Sequence, residues 1–345
     1  MEEIRKRVEW LDVARGIGII LVVMGHAERG LVNAHIATGQ AWSTFDLAIY
    51  TFHMPLFMLL AGVNVRSSLA RGRGDFVRTR LRTIAYPYVL WSLIQGTLLV
   101  LLSGVINGKG EWSKLLMIGW KPISPFWFLY ALMVYVLLVA VVGLRPRVLI
   151  PLAAVGLIAS GFIQDENIIH EIAYMLSFFV IGALASDAIK QWAPASYWMA
   201  IFALLWLATY QIVPDDGMTP YLTPWSFPAA LAGIAFMLCL AQVFGGLAKD
   251  VLAMLGRISM TIYVMHILAT AGTRIVLAKL HLDAPAGLYF AACTIVGVAG
   301  PVCAHMILER LGLLPLLGLS GRLGAGKPQP SAADIPPATE AHARA

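Results

Sequence analysis

Residues 11–32, LDVARGIGIILVVMGHAERGLV, form a stretch long and apolar enough to cross a bilayer as one helix. The stretch contains Arg15 and His26, eleven positions apart. At about 100° per residue an α-helix turns about 1,100° over that distance, so both side chains point to the same side. Ionisable groups on one stripe of a membrane helix usually face a cavity, a partner or a substrate, because lipid does not solvate them. The pair therefore predicts a membrane fold with a functional site inside it.

The composition of the whole chain agrees with this interpretation. Of 345 residues, 59% are hydrophobic and only 13% are charged, and the mean hydropathy is +0.77. A soluble domain carries about 25% charged residues. The formal net charge of +6 comes from basic residues in short loops, which is typical of orientation signals in a membrane protein. We predict an all-α, polytopic integral membrane protein with no nucleic-acid partner.

Ten apolar segments are candidate spans, at about residues 12–31, 46–65, 84–106, 125–144, 148–164, 171–187, 196–214, 227–247, 258–279 and 286–308. With the N-terminus inside, most Lys and Arg fall in cytoplasmic loops, and acidic residues fall in the opposite loops. We therefore expect a cytoplasmic segment at residues 1–10 and a transmembrane bundle over 11–316. A Gly- and Pro-rich, disordered cytoplasmic tail is expected over 317–345.

Polar residues of the first span define a stripe. Asp12 and Arg15 are spaced i, i+3, which predicts an ion pair at the cytoplasmic end of the helix. His26 lies about 16 Å further along the axis, toward the outer half of the bilayer. An imidazole there can take or give a proton near neutral pH.

The second span repeats the pattern with Asp46 and His53, seven residues apart and hence on nearly one face. Pro55 follows within FHMPLF (52–57) and removes a backbone hydrogen bond, so we expect a kink around His53.

Three further groups of residues are candidates. The basic run that contains Arg78, Arg80 and Arg82 serves topology and also suits an anionic, phosphate-bearing ligand. Trp127 lies near the outer end of the fourth span, where an aromatic belt is the default interpretation. Tyr263 and His266 lie on adjacent turns of the ninth span.

The cysteines and histidines give no metal motif. Cys239, Cys293 and Cys303 all lie in apolar runs and are interpreted as buried thiols. The histidines are spread over different helices without close-spaced ligand pairs, so we expect no bound metal.

These segments together resemble the membrane-bound acyltransferase 3 family. The resemblance covers about residues 8–310 and rests on WLDVARG (10–16), GH (25–26), FHMPLF (52–57), PY (87–88) and SMTIYVMH (259–266). The Arg15–His26 spacing matches the family hallmark. The first motif is similar to the fucose 4-O-acetylase-like branch of polysaccharide O-acetyltransferases. One departure is Ala61-Gly62, where the family often has Ser-Gly.

The resemblance implies O-acylation, in particular O-acetylation, of a sugar hydroxyl in a bacterial exopolysaccharide, O-antigen or lipid-linked glycan. Acyl-coenzyme A, chiefly acetyl-coenzyme A, is then the donor substrate, with no resident cofactor. It also implies the bacterial cytoplasmic membrane as location, and polysaccharide-assembly proteins or a second copy of the chain as possible partners.

The resemblance also implies roles for individual residues. His26 is the expected acid/base group, Arg15 positions it or holds the donor, and Asp12 orients Arg15. His53 handles a proton or orients the substrate. The coenzyme A phosphates are expected at Arg78, Arg80 and Arg82, and the acceptor is expected at Asp46, Trp127, Tyr263 and His266.

Three alternatives remain open at the level of the sequence. A glycan transporter or flippase also carries intramembrane His and Arg with Pro kinks. The same fold is also compatible with succinyl or other acyl transfer to a periplasmic glucan, a peptidoglycan or a small molecule. A polytopic scaffold without chemistry is the third alternative, although it has no need of aligned buried ionisable groups.

Overall fold

The computed structural model describes residues 8–102, 112–123, 125–163, 167–214, 219–280 and 284–320, and these residues form helices and no β-strand. The predicted all-α class is therefore confirmed. Most of the expected N-terminal segment (1–10) and tail (317–345) lies outside the described residues, as does the part of the third expected span beyond residue 102.

The helices, numbered in chain order, are α1 (Glu9–Asn33), α2 (Gln40–Val63), α3 (Val65–Leu69), α4 (Arg73–Arg80), α5 (Tyr86–Leu101), α6 (Trp112–Leu116), α7 (Trp127–Val142), α8 (Pro146–Ser160), α9 (Ile168–Leu184), α10 (Ser186–Gln191), α11 (Tyr197–Tyr210), α12 (Phe227–Val243), α13 (Gly246–Arg257), α14 (Ser259–Lys279) and α15 (Ala286–Arg310). A π-helical turn, Leu81–Ala85, joins α4 to α5, and 3₁₀ turns occupy Pro220–Leu222, Pro224–Ser226 and Pro315–Leu317.

Each expected span coincides with an apolar helix, but the helices differ in length. In the described part of the chain, six helical segments are long and apolar enough to cross a membrane. The other four, α7, α8, α9 and α11, have 14 to 17 residues. At 1.5 Å per residue they reach about 21–26 Å, less than the hydrocarbon thickness of about 30 Å. The local sequence explains why α7 is short. Gly143, with φ 74°, follows its last residue, Val142, and Pro146 already begins α8.

The connection between the eighth and ninth expected spans is not the loop that the sequence predicted. It forms α13, an amphipathic helix that packs along α1. Two glycines allow this contact. A Cβ on Gly16 would lie 1.9 Å from the Leu252 carbonyl oxygen, and a Cβ on Gly256 would lie 1.9 Å from the Asp12 carbonyl oxygen. The polar residues of α13 interrupt its apolar run. By hydropathy alone this sequence is therefore interpreted as a loop between two membrane spans.

Helix α1 is central, since α2, α12, α13, α14 and α15 all pack against it. Helices α1 and α2 are antiparallel, because Gly25 lies against Tyr50 and Gly18 against Phe57. The start of α1 and the end of α2 therefore lie at one end of the bundle, called here the Arg15 end. The end of α1 and the start of α2 lie at the other, called the His26 end.

Candidate active site

A cavity of about 530 Å³ lies at the His26 end, bounded by α1, α2, α9, α14, residues 120–122, 125 and 127, and the segment 219–222. This volume falls within the roughly 300–1,000 Å³ typical of small-molecule sites. Its lining is rich in side chains able to exchange protons or hydrogen bonds, among them His26, Arg29, Tyr50, His53, Glu171 and Tyr263. We call this space the central cavity.

Three histidines from three helices meet at the central cavity. His26 lines it, and the His266 ring lies behind His26 with its centroid 4.9 Å away. His266 Nδ1 is 2.7 Å from the Tyr263 carbonyl oxygen, and His53 Nδ1 is 2.7 Å from the Ile49 carbonyl oxygen. A carbonyl only accepts, so in both rings Nδ1 carries the proton and Nε2 is left as a basic nitrogen. Neither Nε2 has a hydrogen-bond partner among the described residues.

Arg29 joins α1 to α2 through a bidentate ion pair. Its Nε and Nη2 donate to the two carboxylate oxygens of Asp46 at 2.6 and 2.9 Å. Its guanidinium carbon lies 3.3 Å from the centroid of the Tyr50 ring, which is a close cation–π contact. The Tyr50 ring in turn meets the His53 ring edge-on, with 4.6 Å between centroids. The cluster fixes the orientation of the polar wall of the cavity.

Tyr221 completes this wall from a 3₁₀ turn. Arg29 Nη2 donates to its hydroxyl oxygen at 3.3 Å. Burial raises the pKa of Tyr221, although the positive charge of Arg29 opposes that shift. The phenol therefore stays protonated at neutral pH and retains a proton that it can donate to a bound hydroxyl or carbonyl oxygen.

A narrow apolar pocket of about 80 Å³ continues from the central cavity toward the Arg15 end. Val22, Met54 and Tyr263 line both spaces. The remaining wall is almost entirely apolar and includes Ile19, Phe57, Phe128, Leu129 and Met260. The stripe of α1 between Arg15 and His26 thus borders this narrow apolar pocket at Ile19 and Val22.

The ion pair expected at the start of this stripe is present. Arg15 Nη1 donates to Asp12 Oδ1 at 2.8 Å, and Asp12 is 2% exposed. Helix α13 contacts the backbone of α1 beside this pair, at Asp12 and Gly16. Arg15 lines neither the central cavity nor the apolar pocket.

The three arginines expected to bind phosphate do not share one environment. Arg78 and Arg82 are exposed. Arg80 is half-buried, donates to Ser68 Oγ at 3.0 Å and lies near the Phe76 ring. All three lie beyond the end of α2, and hence at the Arg15 end of the bundle.

The structure thus divides the candidate residues between the two ends. His26, His53, Trp127 and Tyr263 line the central cavity, and His266 and Asp46 adjoin it through His26 and Arg29. Tyr263 also donates to the Pro125 carbonyl oxygen. At the opposite end lie Asp12, Arg15, Arg78, Arg80 and Arg82.

Sequence reasoning missed three members of the site. Arg29 lies three residues after His26 and hence on the same side of α1, so spacing alone could have identified it. Tyr50 lies between Asp46 and His53 at helical spacings of four and three, which is an equally good signal. Tyr221 belongs to a turn without periodicity, and no sequence signal pointed to it.

Cysteine burial matches the sequence only in part. Cys239 and Cys293 are buried, but Cys303 is exposed. The reason is that α15 lies at the edge of the bundle, where an apolar run faces outward. Across the ranges that the structure describes, no three His, Cys, Asp or Glu side chains form a group able to hold a metal ion.

Comparisons with known proteins agree with this architecture. The acyltransferase domain model of the acyltransferase 3 family matches residues 8–306. The chain is 31% identical over 195 residues to nodulation protein NolL of Sinorhizobium fredii, covering 53% of this chain and 50% of that protein. It is 30% identical over 195 residues to nodulation protein NolL of Mesorhizobium japonicum, covering 54% of this chain and 50% of that protein.

The chain therefore spans about half the length of the curated relatives it matches. No solved structure matches it significantly. The family model, in contrast, spans all helices from α1 to nearly the end of α15, including both ends of the α1 stripe. On that match, this multi-pass membrane protein belongs to the acyltransferase 3 family.

Proposed function

We propose that the protein is an O-acetyltransferase that moves an acetyl group from cytoplasmic acetyl-coenzyme A to a sugar hydroxyl of a bacterial exopolysaccharide, O-antigen or lipid-linked glycan. The observation that carries the proposal is the central cavity, where His26 meets His53 and Tyr50 beside the narrow apolar pocket. Membership of the acyltransferase 3 family supports acyl transfer as the reaction class.

The transfer requires a base, an activated acyl group and a leaving group. The acceptor hydroxyl oxygen attacks the thioester carbonyl carbon while His26 takes the hydroxyl proton. The C–O bond forms, the C–S bond breaks, and the coenzyme A thiolate accepts the proton back from His26. In this proposal the Tyr50 and Tyr221 hydroxyls donate hydrogen bonds to the oxygen that becomes negative in the transition state. His266, in contact with His26, is a positioning residue.

The donor enters from the Arg15 end in this proposal. The apolar pocket suits the slender acyl-pantetheine arm, and its overlap with the central cavity lets the thioester approach His26. The coenzyme A phosphates then remain near the arginines of that end, Arg15, Arg78, Arg80 and Arg82, whose guanidinium groups suit phosphate. Asp12 holds the Arg15 side chain through their ion pair.

The proposed orientation places the Arg15 end in the cytoplasm and both termini on that side of the bacterial inner membrane. The supporting argument is the positive-inside rule, since the Arg-rich segment of α4 and the following turn lies at the Arg15 end. The central cavity then faces the outer half of the bilayer, where a lipid-linked or polymeric glycan acceptor is accessible.

The direct test is transfer of labelled acetyl from acetyl-coenzyme A to cell-surface glycan in isolated membranes. We expect His26→Ala to lower transfer by about 10²–10⁴-fold, the usual contribution of a general base. A matched control is His305→Ala, which removes a buried imidazole that lines neither the cavity nor the apolar pocket. Its transfer per folded molecule should stay near that of the unmodified protein.

Two results of this assay would count against the proposal. Equal transfer by His26→Ala and the unmodified protein would show that His26 is not the base of the reaction. Transfer from succinyl-coenzyme A but not from acetyl-coenzyme A would show that the protein is an acyltransferase that transfers succinyl and not acetyl groups.

A further inference from the structure

A second cavity of about 620 Å³ lies beside the central cavity at the His26 end. The last turn of α1, the segment 34–39 and the first two turns of α2 form most of its wall. Arg29 and Tyr221 line both cavities, so these two residues form a shared partition. We call this second space the outer groove.

The outer groove contains the buried carboxyl group of Glu28, which lies against the side chain of Asp46. Glu28 lines the groove and is 2% exposed, and its Oε2 has no hydrogen-bond partner in the described part of the chain. A buried polar atom without a partner is costly, and a ligand that donates a hydrogen bond would remove that cost. Asp46 and Ser43 place further oxygens in the same lining. Such a wall suits a ligand with several hydroxyl groups.

An aromatic platform lies in the same groove. Trp42 lines the groove, and its ring is held edge-on against Phe290 of α15 with 5.5 Å between centroids. Leu31, Ala37 and Tyr289 form the buried cluster behind it. Because Trp42 is half-buried, it presents a fixed aromatic surface on which the C–H face of a sugar ring can pack.

The turn that shapes the groove is strained. His35 has φ 56°. No other non-glycine residue in the described ranges has a positive φ. The Ile36 N–H donates to the Leu31 carbonyl oxygen at 3.0 Å and closes α1 around this residue. Glycine is the usual residue at such a position, whereas here an exposed imidazole lines the groove. Strain of this kind is concentrated at ligand-binding sites.

We propose that the outer groove is a second subsite, which binds the sugar next to the one that is acylated. This inference rests on the proposed function and adds a second subsite to it. One sugar presents its hydroxyl to His26 in the central cavity. The chain passes the Arg29–Tyr221 partition, and the neighbouring sugar packs on Trp42 and donates to Glu28.

The test compares two acceptor preparations from the cells that carry the gene. One is their surface glycan after mild alkaline removal of O-acetyl groups, and the other is the monosaccharide mixture released from it by acid. Labelled acetyl-coenzyme A is the donor. We expect the unmodified protein to acetylate the glycan at least about tenfold more efficiently than the monosaccharides. Trp42→Ala and Glu28→Gln should each raise the KM for the glycan about tenfold or more, with kcat within about twofold.

Matched variants separate binding from folding. Trp42→Phe keeps an aromatic surface and should keep most of the affinity. Trp225→Ala removes an exposed tryptophan outside both cavities, and Glu309→Gln makes the same amide change as Glu28→Gln at the other end of the bundle. Both should leave the KM unchanged.

The outcomes distinguish this inference from the proposed function. Equal efficiency toward glycan and monosaccharides, or an unchanged KM in both Trp42→Ala and Glu28→Gln, overturns the subsite while leaving acetyl transfer intact. If the unmodified protein acetylates neither preparation, the proposed function fails and the subsite fails with it.

Discussion

Tyr50 connects the two parts of the site at the scale of a single residue. Its ring lies under the Arg29 guanidinium and against the His53 ring. Its hydroxyl is buried and has no hydrogen-bond partner among the residues the structure describes. A tyrosine hydroxyl usually finds a partner when buried, and in the proposed mechanism the substrate is that partner. The ring then orients Arg29 and His53, and the hydroxyl donates a hydrogen bond during the reaction.

Substituting Tyr50→Phe separates these tasks. We expect acetyl transfer to fall about 10- to 10³-fold, because one donor to the developing oxyanion is lost. The thermal unfolding midpoint should stay the same or rise, since the variant loses no internal hydrogen bond. Acetyl transfer per folded molecule and the unfolding midpoint in detergent are the two measurements.

The matched control is Tyr174→Phe on α9. The Tyr174 hydroxyl shares a 2.8 Å hydrogen bond with Ser226 Oγ, and it lines neither cavity. That variant should lose about 1 kcal/mol of stability and keep its transfer rate. If Tyr50→Phe behaves like Tyr174→Phe, the Tyr50 hydroxyl has a structural role only.

At the scale of the element, α1 was predictable and α13 was not. The Arg15–His26 spacing predicted the helix, its polar stripe and the Asp12 ion pair, because helical periodicity is a local property. Helix α13 was not predicted as a helix because Lys249, Asp250 and Arg257 lower the hydropathy of its sequence. Its role follows only from its packing on α1. Arg29 and Tyr50 lie at helical spacings of three or four from His26, Asp46 and His53, so periodicity points to both. Tyr221 had none, because tertiary folding alone brings its turn to α1.

The contact between α13 and α1 predicts a sensitive glycine. In Gly256→Ala the new Cβ meets the Asp12 carbonyl oxygen, which is backbone and cannot move independently. We expect about 1–3 kcal/mol of destabilisation and a raised KM for acetyl-coenzyme A, because α1 shifts at the Asp12–Arg15 pair. Unfolding midpoints and donor kinetics measure the two effects.

Gly245→Ala is the control for this effect. Its Cβ would meet nothing within 4 Å, and its φ of −132° suits any residue. It should change neither quantity. If Gly256→Ala is equally neutral, then close packing of α13 on α1 does not set the position of Arg15.

At the scale of the whole molecule, an apolar pocket lies between two polar ends. The Arg15 end carries Arg15, Arg78, Arg80 and Arg82. The His26 end carries His26, His53, His266, the Arg29–Asp46 pair and both large cavities. The apolar pocket between them shares Val22, Met54 and Tyr263 with the central cavity. This layout predicts a reaction in which donor and acceptor arrive from opposite sides of the membrane.

The most direct test of the central claim is a sidedness assay with purified protein in sealed proteoliposomes. Labelled acetyl-coenzyme A is supplied outside, and de-O-acetylated glycan is either trapped inside or added outside. Our account predicts labelling of the trapped glycan, little labelling of the external glycan, and transfer by His26→Ala that is about 10²–10⁴-fold lower. Labelling of external glycan with none inside would contradict transfer across the bundle from the Arg15 end to His26.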